Sequence, residues 1–173
     1  MGPTPTIHLS CDQDWAPAWA TLRLRDMLRS SGATATFFVT QDCPSLPALR
    51  EAGWELGWHP NFLPGSSHGD SIEAVLDTLA AWVPEARGAR AHCLIRGTPY
   101  LEAYKARGLW YDAADLHDGE AGLEVFVSWT GVARLPIFFE DDVHLQRGLD
   151  VTVEALGLAR PGLKIFTFHP VLV

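Results

Sequence analysis

The chain has 173 residues, 47% of them hydrophobic, and a formal net charge of −8. That is enough apolar material for the core of one domain, spanning 1–173, and an acidic balance that argues against nucleic acid or an anionic membrane as partner. No apolar run reaches the ~18 residues a membrane span requires, so no membrane insertion is expected.

The amino-terminal "MGPTPT" lacks a basic and then apolar leader, and Pro3 with the strand that follows argues against lipidation. Cys11, Cys43 and Cys93 show no knuckle or C-x-x-C spacing and read as reduced thiols, so a cytoplasmic setting is expected. "TIHLSCD" (6–12) predicts a strand and "APAWATLRLRDMLRSSG" (16–32) a helix closed by Gly32. A second strand is expected over 34–40, a short helix over 45–53, and a third strand in "WELGWHP" (54–60). The Pro- and Gly-rich stretch 61–70 reads as a loop. Ile72, Val75, Leu76, Leu79 and Trp82 share one face of a helix over 71–84. "ARAHCLI" (89–95) predicts a strand, 99–108 a helix and 109–115 a strand. "LEVFVSW" and "RLPIFFED" predict two further strands, 151–162 a last helix, and 163–170 a last strand.

Strands alternating with helices predict a parallel α/β domain, either an open doubly wound sheet or a small distorted barrel of about seven strands. Both architectures gather functional groups at the carboxyl ends of strands. Acids and imidazoles recur there: Asp12 and Asp14, His59, then His68 in the following loop, Glu140 to Asp142, and His169. In extended chain Asp12 and Asp14 share a face, and two carboxylates so close repel unless a cation lies between them. Helix capping by Asp14 is the simpler alternative. Two histidines and an aspartate with open positions make a hydrolytic metal site.

"LSCDQDWAP", "ATATFFVT" and "EAGWELGWHPNF", in that order, resemble the NodB-type polysaccharide deacetylases, carbohydrate esterase family four, and "HPNFLPGSSHG" is similar to a subgroup of bacterial surface-polysaccharide biosynthesis. The resemblance implies a distorted (β/α) barrel and a metal-dependent hydrolase that removes an N-acetyl group from a sugar or glycan precursor. It implies one divalent ion, zinc first, with cobalt, nickel, manganese or iron also suited, held by Asp14, His59 and His68. It implies Asp12 as general base, Arg96 of "RGTPY" orienting it, the backbone near Tyr100 meeting the oxyanion, and His169 of "FTFHP" as general acid. Glu140 or Asp142 would orient His169, with Asp141 an equal alternative. Trp15, Asn61, Phe62 and Tyr100 are expected to contact substrate.

Two features depart from the family pattern: Gln13 separates the acids, and His59 and His68 lie nine residues apart, so His92 or His144 stands in reserve for His68. Other outcomes on this fold are an allantoinase-like hydrolase of a different C–N bond and a glycan-binding relic without turnover. The ending "FHPVLV" leaves open a longer natural chain or a homo-oligomer whose neighbour completes the edge.

Overall fold

The structure, a computed structural model, describes residues 7–172; "MGPTPT" and Val173 lie outside the described residues. Among those described, the chain forms β1 (Ile7–Asp12), α1 (Ala18–Ser30), β2 (Thr36–Val39), α2 (Leu46–Glu51), β3 (Glu55–Trp58), α3 (Ile72–Trp82) and β4 (Gly88–Ala89). It continues through α4 (Thr98–Ala106), β5 (Tyr111–Leu116), β6 (Phe126–Val127), β7 (Ala133–Ile137), β8 (Phe139–Glu140), α5 (Asp141–Arg147) and β9 (Lys164–Phe168). These are nine strands in the order β6-β7-β5-β4-β3-β2-β1-β9-β8, all parallel except β6.

The expected seven staves are recovered once β7 and β8 are followed as one run of chain. Its first half pairs with β5 (Leu116 opposite Ile137) and its second with β9 (Phe139 opposite Phe166). Phe138 makes the change: its N–H donates to Ile165 O while its carbonyl accepts from Gly119 N. That change of partner closes the sheet into a distorted barrel, and β6 lies outside the ring as an antiparallel edge.

The apolar face read over 71–84 packs on the barrel's outer side. Leu76 and Leu79 of α3 are fully buried, with Leu24, Phe37, Leu56, Trp58, Leu101 and Tyr104 in the same cluster. Each such side chain contributes about 1.5–3 kcal/mol. Ser71 caps α3 by accepting from Ala74 N at 3.1 Å. The mouth opposite the strands' carboxyl ends holds a cavity of about 240 Å³ lined by Ser10, Phe38, Glu55, Arg90, Tyr111 and Ile165.

Three expectations are corrected. The 89–95 segment is a strand only at Gly88–Ala89 and then turns at His92–Leu94, because Cys93 and Leu94 adopt left-handed φ of 55° and 52°. Residues 151–162 form successive turns rather than a helix, broken by Gly157 at φ 61° and Gly162 at φ 105°. The strand "RLPIFFED" ends at Glu140, and α5 begins at Asp141. No helix among the described residues is long and apolar enough to cross a membrane.

Candidate active site

Because every stave runs the same way, the carboxyl ends of β1, β2, β3, β4, β8 and β9 meet at one mouth. Asp12 ends β1, buried. Alternation alone does not bring Asp14 beside it, because the chain turns at Asp14 (φ 41°) and Trp15 (φ 55°). Left-handed backbone at non-glycine residues is costly and persists only where the surroundings enforce it. Here they do: Asp14 N donates to Thr40 Oγ1 at 3.0 Å, and the fully buried Gln13 anchors the turn. Gln13 Oε1 accepts from Thr40 N at 3.0 Å and Gln41 N at 3.3 Å, while its Nε2 donates to Cys43 Sγ at 2.8 Å. The residue that separates the acids therefore staples β1 to the loop after β2.

That turn points Asp14 Oδ1 at two imidazoles, His59 Nε2 at 3.0 Å and His92 Nδ1 at 2.9 Å. These hydrogen bonds outweigh burial and hold the Asp14 carboxyl well below the usual carboxylate range. His92 is raised, first by its bond to Asp14. Ligands 2.0–2.1 Å from a tetrahedral zinc lie about 3.3 Å apart, so one carboxylate oxygen and two imidazole nitrogens at this spacing fit a divalent ion with further positions open.

His68 is not in this cluster, which corrects the expected ligand set. Its Nδ1 accepts from Asn61 N at 3.1 Å, so Nε2 carries the proton and donates to Thr40 O at 2.7 Å. With its only lone pair engaged, His68 cannot coordinate. Burial, the main influence, pushes its pKa down and keeps it neutral. It braces Thr40, whose hydroxyl holds Asp14. His144, the other reserve, bonds Asp118 at 2.7 Å.

Arg96 is also elsewhere: it lies exposed at 2.6 Å from Asp115, because the turn after β4 carries it outward. The guanidinium on Asp12 belongs to Arg90, fully buried inside the barrel and 4.4 Å over the Phe38 ring. Its Nη1 donates to Asp12 Oδ1 at 2.8 Å, Nη2 to Ser10 Oγ at 2.9 Å and Nε to Ala113 O at 2.9 Å.

At the far side, His169 Nδ1 lies 2.6 Å from Asp141 Oδ1, and His169 N donates to Asp141 Oδ2 at 2.9 Å. Asp141, not Glu140 or Asp142, thus orients His169; Asp142 is exposed and caps Val143 N. His169 Nε2 is left facing Asp14 Oδ2 at 3.5 Å and Asp12 Oδ2 at 4.0 Å. Burial lowers the His169 pKa, but the Asp141 bond and the charges of Asp12, Asp141 and Asp14 prevail and raise it to about 9. Glu140 is buried, its Oε2 without a partner; desolvation and then the charges of Asp12 and Asp142 push its pKa up to about 7.

Trp15, 38% exposed, packs edge-on against His92 at 5.1 Å and sits on the rim. Tyr100 and Phe62 touch at 4.5 Å beside a groove of about 500 Å³. The Asn61 carboxamide oxygen is taken by Leu63 N at 3.0 Å, so Asn61 shapes its own loop. Arg90, His92, Asp141 and Gln13 are the site residues that sequence reasoning assigned elsewhere, held in reserve or passed over.

Comparison with known proteins bears on the fold and the family. A mutant of BA3943, described as a CE4 family pseudoenzyme with restored enzymatic activity, is 14% identical with a TM-score of 0.58, over 98% of this chain and 58% of its own. A protein from Mycobacterium smegmatis assigned as a polysaccharide deacetylase is 19% identical, TM-score 0.67, over 98% and 78%. At these identities both show the fold alone. WbmS of Bordetella bronchiseptica, assigned as a polysaccharide deacetylase involved in O-antigen biosynthesis, is 30% identical with a TM-score of 0.87, over 97% of this chain and 72% of its own. No curated protein matches the sequence. The model of the WbmS-like polysaccharide deacetylases matches residues 9–173, and the chain belongs to that family.

Proposed function

We propose that the protein is a metal-dependent deacetylase that hydrolyses the N-acetyl amide of a sugar or glycan precursor. One observation carries the reading: Asp14 Oδ1 sits between His59 Nε2 and His92 Nδ1, with Asp12 clamped by Arg90 on one side and His169 Nε2 presented on the other. Asp14, His59 and His92 would hold the ion, zinc being the first candidate for two imidazoles and a carboxylate. When bound, a divalent ion acidifies water and polarises the amide carbonyl.

The chain's own residues supply the proton transfers. Asp12 takes a proton from the attacking water, and the Arg90 bond to Oδ1 keeps Oδ2 aimed at the mouth. His169, with Nδ1 on Asp141, carries its second proton on Nε2 and delivers it to the departing amine nitrogen. A buried imidazole raised to about 9 is protonated at neutral pH, as a general acid must be. Trp15 at the rim, and Phe62 with Tyr100 beside the groove, would cover the apolar faces of a sugar ring. The family and the O-antigen association of WbmS support a surface-polysaccharide precursor as substrate class.

The test is acetate release from N-acetylated amino sugars and their glycosides by zinc- or cobalt-loaded protein. Asp12→Asn and His169→Ala should each lower turnover by roughly 10²–10⁴-fold. Protein that binds metal and sugar yet releases no acetate from any of them would leave a glycan-binding relic as the better account.

A further inference from the structure

We propose that Asp12, Glu140 and His169 form a second, weaker cation site beside the first, with Asp14 facing both. The proposal rests on the deacetylase reading for its consequence. Donor atoms of Asp12, Glu140 and His169 all lie within 4.8 Å of one another, and all three residues are buried.

Glu140 is the residue the proposed mechanism does not use. It is 6% exposed, its Oε2 has no hydrogen-bond partner, and its carboxyl is directed at Asp12 and His169. A buried carboxylate oxygen without a partner is costly, and a cation removes the cost. The neighbouring atoms are placed to share that cation. Asp12 Oδ1 is spent on Arg90, which leaves Oδ2, 4.0 Å from His169 Nε2. Asp14 spends Oδ1 on His59 and His92, and its Oδ2 lies 3.5 Å from the same His169 nitrogen. The two oxygens of Asp14 thus look into two adjacent clusters.

The second set is richer in carboxylates than the first and suits zinc or manganese. Arg90, 2.8 Å from Asp12, repels a cation there, so the first site fills before the second. A cation in the second site takes the lone pair of Asp12 Oδ2 and displaces the Nε2 proton of His169 to solvent, so the base and the acid are lost together. Excess divalent metal therefore stops turnover in the protein that a first equivalent activates.

Equilibrium dialysis against rising zinc, with elemental mass spectrometry, tests this on wild type, His92→Ala and Glu140→Gln. Wild type should bind one equivalent tightly and a second more weakly, with turnover falling as the second fills. Glu140→Gln should keep the tight equivalent, which also reports that it has folded, and lose about tenfold or more in affinity for the second. His92→Ala should lose the tight equivalent. A single equivalent at every zinc concentration in wild type overturns the second site and leaves the deacetylase reading standing. So does an unchanged second equivalent in Glu140→Gln. Wild type that binds no zinc at all overturns both.

Discussion

Two arginines six residues apart have opposite surroundings, and they separate site from surface. Arg90 makes three directed hydrogen bonds from a fully buried guanidinium; Arg96 makes one exposed pair with Asp115. A lysine at 90 presents one nitrogen where the guanidinium presents three, and a planar fork is not replaced by a point charge. Arg90→Lys should lower kcat on the order of 10²-fold with little change in KM, since a small misplacement of the base is costly. Arg96→Ala should leave turnover unchanged and cost under about 1 kcal/mol in a denaturant melt. The reverse ranking would return the orienting role to Arg96. His169 offers a second check in the metal-free protein. Its pKa rises from 6.5 to about 9 on folding, so its charge stabilises the fold fully below pH 6.5, and this contribution is lost as pH rises through about 9. Asp141→Asn can keep the backbone bond from His169 N but removes the charge. Thermal melts should show a penalty of about 1–2 kcal/mol at pH 6 whose pH-dependent part is gone by about pH 10. A penalty that grows with pH would refute the imidazolium at this position.

At the scale of elements, β4 shows both what was legible and what was not. Its two residues precede Arg90 and His92, and reading "ARAHCLI" as a full strand placed both within a strand instead of just past its end. Asp12, Asp14, His59 and His169 were legible because the strands before them are long enough to show apolar runs. His68 was misplaced because a histidine in a Gly-rich loop gives no sign of which acceptor it will meet; only the positions of Thr40 O and Asn61 N settle that. Helix 151–162 fails for a local reason, its glycines at positive φ. Gly88 of β4 answers to a separate constraint. A Cβ on Gly88 would lie 2.1 Å from the Tyr111 ring, and one on Gly57 would lie 2.7 Å from the Phe38 ring, so the aromatic filling of the barrel demands bare backbone on two neighbouring strands. Gly88→Ala should cost about 1–3 kcal/mol by overpacking. Tyr111→Val should recover part of that loss in the double variant, a coupling that a denaturant double-mutant cycle would measure. Additive penalties would mean that the ring is not what excludes the methyl group.

For the molecule as a whole, the barrel gathers at one mouth groups that the chain keeps far apart. Asp14 follows β1, His59 follows β3 and His92 follows β4. An ion held by these three ties three loops to one point, and what binds the folded state alone raises its stability by mass action. At a zinc concentration about 100 times Kd the gain is about 2.7 kcal/mol, or roughly 5–10 °C in Tm for a chain of this size. His68 and His92 should then part company. His92→Ala removes a ligand and should abolish most of the zinc-dependent shift while changing the metal-free Tm little, since its ring is partly open to solvent and its one ion pair among the described residues is with the partly exposed Asp14. His68→Ala strands Thr40 O and Asn61 N and should lower the metal-free Tm by an amount worth about 1–3 kcal/mol, with most of the zinc shift preserved. Differential scanning calorimetry of the three proteins with and without zinc distinguishes the roles, because a ligand and a brace fail along different axes. Loss of the zinc shift in His68→Ala with retention in His92→Ala would restore the ligand set that the family resemblance implies and overturn the one drawn from the geometry.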